Sequence, residues 1–229
     1  MKFQKKLAVT ALFAALAAAS VVAQAQTVRI ANQGDALSMD PHSLNESLQL
    51  SVTSNVYEPL VGRNKDLSLA PALATSWKQT SPTVWRFELR KGVQFHDGTP
   101  FTADDVVFSF GRMKGEGSDM KATNSDVKLV RKIDDHTIEI ETQAPQPILP
   151  DVITTSYMMS KKWCETNQAT TPVDRRKGIE NAASFRANGT GPYRLRERQP
   201  NVRSVFVRNG AYWGLIEGTA TAVVFTPIA

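Results

Sequence analysis

The stretch TVWRFELR (residues 83–90) sets the first structural constraint. Trp85, Phe87 and Leu89 alternate with Arg86, Glu88 and Arg90, and a period of two is the signature of a strand with one buried and one wet face. Such a strand needs partners. VKLVRKI (127–133) and HTIEIET (136–142), joined at Asp134-Asp135, read as a hairpin. TVRIA (27–31), PYRLRER (192–198), RSVFVRN (203–209) and TAVVFTPIA (221–229) supply further strands, with Val28 and Ile30 sharing one face of the first. Leu48, Val52, Val56 and Leu60 fall at helical intervals, and Pro59 predicts a helix end just before it. ALSMDPHSLNES (36–47) reads as a loop, and 166–191 as a long polar excursion. VITTSYMMSKKWCE (152–165) fits neither pattern. Strands and helices mix without strict βαβ alternation, which predicts an α/β or α+β protein.

GVQFHDGTPFTADDVVFSF (92–110) places His96, Asp97, Asp104 and Asp105 within ten positions, a pattern that invites a catalytic or metal reading. Each carboxylate also has a structural use. Asp97-Gly98 is a turn, with Gly98 free to adopt a positive φ. Thr102 and Asp105 form a capping box, with Phe101 and Val106 placed as its hydrophobic staple. Asp104 and Asp105 complement the helix dipole, and Val106, Phe110 and Met113 form an apolar stripe. No nucleophile motif stands nearby, and aspartates engaged in capping are poor metal ligands, so the stretch is expected to shape the chain.

The first 25 residues read as a secretory signal peptide: three lysines, an Ala- and Leu-rich run, then Ala23-Gln24-Ala25, with cleavage expected before Gln26. Losing Lys2, Lys5 and Lys6 lowers the formal charge from +5 to +2, which carries no nucleic-acid signature. Cys164 is the single cysteine, so no intrachain disulfide can form, and its expected role is that of a small buried hydrophobe.

Residues 57–113, from YEPLVG to SFGRM, resemble the signature region of family 5 extracellular solute-binding proteins. NGTGPYRLRERQPNVRSVFVRNGAYWG (188–214) resembles the Gly-Thr-Gly-Pro-Tyr segment of that family and its later Tyr-Trp-Gly, and LSMDPH (37–42) resembles its Leu-Asp-Pro loop. The resemblance implies an α/β, type 2-like periplasmic binding protein with two hinged lobes. It implies capture of a small solute, foremost a peptide, for an inner-membrane ABC permease, by a receptor with no cofactor and no enzymatic activity; the family also includes nickel- and glutathione-binding members, but neither Cys164 nor the three histidines of this sequence makes a metal site, so no metal is expected. The implied organisation is a signal peptide (1–25), the start of lobe I (26–60), a lobe I subdomain (61–185) and a return to the lobe I sheet (186–229), with the second lobe missing. The loop after the Leu-Asp-Pro element points to Asn45, Glu46 and Ser47 as solute contacts, with Tyr57 as a wall residue. Gly189 and Gly191 are expected to permit unusual backbone angles, and Trp213 to pack. Two other readings stand beside this one: a non-functional fragment of such a receptor, and a secreted hydrolase using His42, His96 or His136.

Overall fold

The computed structural model describes residues 26–228, so the expected signal peptide lies outside the described residues. The alternating stretch becomes β5 (Val84–Leu89), an inner strand of the antiparallel sheet β4-β5-β7-β6, with β4 Ala74–Ser81, β6 Val127–Asp134 and β7 Thr137–Thr142. Phe87 pairs with Trp77 on one side and Ile138 on the other. Phe87, Leu89, Ile138 and Ile140 are buried. On the opposite face Arg86 donates to Glu139 at 2.7 Å, and Arg131 reaches Glu139 and Glu141. The expected β6–β7 hairpin is present.

Over the apolar face lies helix α2 (Ala103–Met113), which follows the seven-residue α1 (Ser47–Thr53). Its capping box forms as expected, with the Thr102 amide donating to Asp105 Oδ2 at 2.9 Å. Asp105 Oδ1 accepts the Lys161 amide at 2.9 Å, so one carboxylate ties the start of α2 to the start of α4 (Lys161–Thr166). Val106, Phe110 and Met113 are buried on the sheet. Between β7 and α4 the chain forms α3 (Leu149–Val152) and a 3-10 turn (Ile153–Thr155). That succession of short pieces explains why no single period fits residues 152–165.

The second four-stranded sheet has the order β1-β10-β9-β8, with β1 Gln26–Gln33, β8 Tyr193–Gln199, β9 Arg203–Arg208 and β10 Ala220–Ile228. β1 runs parallel to β10, pairing Val28 with Val223 and Ile30 with Phe225. A two-stranded ribbon of β2 (Val61–Arg63) and β3 (Leu69–Pro71) follows the crossing from this sheet to the other. The last helix, α5 (Ala182–Phe185), lies in the polar excursion.

Two expectations need correction. The first helix stops at Thr53, well short of Pro59. Just past its end, the Asn55 and Val56 carbonyls accept the Tyr193 and Gly191 amides at 3.0 and 2.9 Å. A tertiary partner therefore takes the carbonyls that further helix would have left to its own next turn. Gly189 and Gly191, in turn, do not have positive φ. They are needed for close approach: a Cβ at Gly189 would stand 1.9 Å from the Val56 carbonyl oxygen, and one at Gly191 2.7 Å from the same atom. Gly98 does adopt φ 84° in its turn.

Candidate functional site

The 35–46 loop has no regular structure, yet Asp35, Ser38, Asp40, His42 and Ser43 are buried. Its polar groups are matched one by one. Arg112, on the last turn of α2, donates to both carboxylate oxygens of Asp40 at 2.8 and 2.6 Å. Its remaining donors serve the Ala169 and Thr171 carbonyls at 3.0 Å each. The same guanidinium donates to His42 Nδ1 at 3.0 Å, which leaves Nε2–H to donate to the Tyr157 carbonyl at 2.9 Å. His42 is thereby fixed as one neutral tautomer. Burial and then the adjacent Arg112 charge push its imidazole down to about 4. Burial alone would raise the Asp40 carboxyl, but the Arg112 guanidinium holds it below its ordinary range.

From this buried root the chain emerges at Asn45, Glu46 and Ser47, all exposed. The Asn45 amide donates to Thr123 Oγ1 at 3.2 Å. Glu46 is the N-cap of α1, accepting the Gln49 and Leu48 amides at 2.6 and 3.2 Å. Ser47 is the first residue of that helix. The three expected contacts thus form one contiguous polar tip. Tyr57 is elsewhere: it is fully buried among Met39, Val56 and Cys164, and its hydroxyl has no hydrogen-bond partner.

Next to the tip, α1 and the β1-β10-β9-β8 sheet enclose an apolar groove of about 340 Å³. Ile30, Leu48, Tyr193, Phe206, Val223 and Phe225 line it, and none of the four expected site residues does.

Sequence reasoning missed a hub at Glu58. Its carboxylate, 7% exposed, accepts the Thr190 hydroxyl at 2.7 Å, the Tyr212 hydroxyl at 2.7 Å and the Trp213 indole N–H at 2.8 Å. Burial raises its pKa, against the pull of those donors. Arg90 stacks over Trp213 at 4.2 Å, so the Tyr-Trp-Gly segment is clamped to the first sheet crossing. The only signal in the sequence was Glu58 itself, an acid set between Tyr57 and Pro59 in an otherwise apolar run.

The FHDG turn docks on the Gly-Thr-Gly segment. The His96 amide donates to the Gly189 carbonyl at 2.8 Å, His96 Nε2 meets the Gly191 carbonyl at 3.0 Å, and the Asp97 amide donates to Asn188 Oδ1 at 3.0 Å. Burial pushes the His96 imidazole down to about 4. Ser109 donates to the Asp105 carbonyl at 2.7 Å inside the helix, and His96 is not brought to it. The stretch shapes the chain, as its local chemistry predicts. Among the described residues no group of three or more His, Cys, Asp or Glu side chains could hold a metal ion, and no helix is long and apolar enough to cross a membrane.

A family model described as bacterial extracellular solute-binding proteins, family 5 Middle, matches residues 68–229. The periplasmic oligopeptide-binding protein OppA of Escherichia coli is 26% identical over 242 residues, covering 96% of this chain and 42% of the relative. The nickel-binding periplasmic protein of the same organism is 30% identical over 216 residues, covering 89% of this chain and 38% of its own length. Among solved structures, the unliganded open form of the periplasmic murein tripeptide-binding protein MppA superposes with a TM-score of 0.76 at 25% identity, covering 90% of this chain and 42% of that one. DppA from Helicobacter pylori in complex with the peptide STSA gives a TM-score of 0.75 at 25% identity, covering 89% and 43%. The chain spans about two-fifths of the length of the relatives it matches. The mixed α/β architecture is that of a type 2 periplasmic binding protein, over a share of the fold that corresponds to part of the first lobe.

Proposed function

Because this chain belongs to the family 5 bacterial extracellular solute-binding proteins, we propose that it supplies the first-lobe wall of a periplasmic receptor for peptides or similar small solutes. In this reading it is exported, cut before Gln26, and delivers its solute to an inner-membrane ABC permease without chemical turnover. Residues 26–60 and 186–229 form the lobe I body around the β1-β10-β9-β8 sheet, and 61–185 form its subdomain around the β4-β5-β7-β6 sheet.

One observation carries the assignment of the site: an exposed polar tip, Asn45-Glu46-Ser47, stands on a loop whose root is a fully buried ionic cluster. Binding is favoured when polar groups are held in place before the ligand arrives, because little conformational freedom is then lost on association. The tip offers an amide, a carboxylate and a hydroxyl, which suit the mixed donors and acceptors of a peptide backbone and its charged amino end. Closure onto a second lobe captures the solute because the closed state makes contacts the open state lacks.

Calorimetric titration of the 26–229 chain with a panel of di- to pentapeptides tests this reading. Saturable one-to-one binding, weakened at least tenfold by Asn45→Ala/Ser47→Ala with the melting temperature unchanged, is expected. Binding that is indifferent to the double substitution would remove the tip from the site.

A further inference from the structure

Removal of the leader before Gln26, proposed above and the step on which this inference rests, makes Gln26 the first residue of the exported chain. Gln26 also opens β1, the outer strand of the β1-β10-β9-β8 sheet, and is exposed there. Two threonines hold it, one just before β10 and one inside it. The Thr219 hydroxyl donates to Gln26 Oε1, and the Thr221 hydroxyl donates to the Gln26 main-chain carbonyl at 3.2 Å. Thr219 is itself set in place. Arg208 on β9 donates to the Ile216 and Gly218 carbonyls at 3.0 and 2.9 Å, and Gly218 turns the chain into β10 with φ 83°.

A free amino-terminal glutamine carries its own electrophile. Attack of its α-amino nitrogen on its side-chain Cδ closes a pyrrolidone ring, and an intramolecular step of this kind replaces the encounter with a second molecule. The nucleophile is the neutral amine, whose ordinary pKa of about 8 leaves a useful fraction unprotonated near neutral pH. As the tetrahedral centre forms, negative charge develops on Oε1, the atom that the Thr219 hydroxyl meets. A donor already aimed at an oxygen where charge develops lowers the barrier to acyl transfer.

We propose that Gln26 is a self-modification site, at which the exported chain closes its own amino terminus as pyroglutamate while the Thr219 hydroxyl stabilises the developing oxyanion. The α-amino nitrogen bonds to Cδ, the Cδ–Nε2 bond breaks, and Nε2 leaves as ammonia with the proton that the amine gives up. The step needs no oxidant, reductant or co-reactant. The lactam keeps Oε1 as the acceptor for Thr219 and removes the amino-terminal charge from the exposed end of an edge strand. Aminopeptidases, which require a free α-amine, then have no starting point on β1.

The test uses the full chain expressed with its own leader in the native host. Protein is purified quickly from the periplasm at pH 5.5, where the amine is protonated, then incubated at pH 8. Mass spectrometry follows its amino-terminal peptide over time. The expected peptide begins at Gln26 and converts to a form lighter by one ammonia without added enzyme. Conversion should be about tenfold slower in Thr219→Val and in wild-type chain held unfolded in urea, and near the wild-type rate in Thr219→Ser. A peptide that begins at Gln26 and stays unmodified would overturn the proposal and leave the cleavage intact. Equal closure at every time in wild type, Thr219→Val and urea would overturn it as well, since Thr219 would then have no part in the step. A peptide that begins elsewhere would overturn both the inference and the cleavage on which it rests.

Discussion

Arg112 and Asp40, 72 positions apart, meet through two hydrogen bonds of 2.6 and 2.8 Å with neither side chain exposed. The pair joins α2, packed on one sheet, to the loop that leads into α1. A buried ion pair contributes little net stability compared with apolar packing, but removing one partner strands a charge. Arg112→Met is therefore expected to cost about 3–5 kcal/mol in urea unfolding. The double variant Asp40→Leu/Arg112→Met should recover only part of that loss, because the Ala169 and Thr171 carbonyls also lose their donor. Full recovery would show that the pair acts alone.

Gly189 offers a steric prediction. Gly189→Ala puts a methyl group against the Val56 carbonyl oxygen, so the crossing between Val56 and the Gly-Thr-Gly segment must shift. Overpacking of this kind costs about 1–3 kcal/mol or more. Gly210 is exposed with open space around it, and Gly210→Ala should change unfolding by no more than about 0.5 kcal/mol. Equal effects at the two positions would contradict the close-approach account.

Much of this architecture was legible in the sequence because it is local. The capping box at Thr102 and Asp105, the strand period of Trp85–Leu89 and the β6–β7 hairpin are each set by residues within a few positions of one another. What was not legible depends on partners far along the chain. The helix ends at Thr53 because residues 191–193 take its following carbonyls, and Gly189 is needed because of Val56. The 36–47 stretch read as an ordinary polar loop, since nothing local reveals that Arg112 awaits Asp40. The polar tip at Asn45-Glu46-Ser47 came from the family resemblance alone, while the burial of Tyr57 emerged only with the core built around it.

Acid should destabilise the protein through its histidines. His42 and His96 both have folded-state values near 4 against an ordinary 6.5, so the unfolded chain binds more protons between these limits. Their contribution is fully present above pH 6.5 and is lost as pH falls toward 4, with His42 alone worth about 3 kcal/mol. Glu58 and Asp105, raised by burial, act in the opposite direction at the acidic end of the range. The difference between wild type and His96→Gln isolates one term. Urea unfolding at pH 7, 5.5 and 4.5 should show a shallower fall in the variant, and parallel curves would contradict the assignment.

Glu58→Gln should unclamp the Tyr-Trp-Gly segment. A glutamine keeps one acceptor oxygen but turns its NH2 toward hydroxyl and indole donors that had a carboxylate. A loss of about 1–3 kcal/mol is expected, with a red shift of the fluorescence that Trp213→Phe removes. An unchanged spectrum would place the Trp213 anchor elsewhere.

The receptor account stands most directly on native mass spectrometry of the 26–229 chain purified from the periplasm without refolding. It predicts a stoichiometric peptide-sized ligand, released intact on denaturation and displaced by added peptide without hydrolysis. A folded chain that carries no ligand and takes up none from the peptide panel, or that cleaves what it is given, would contradict it.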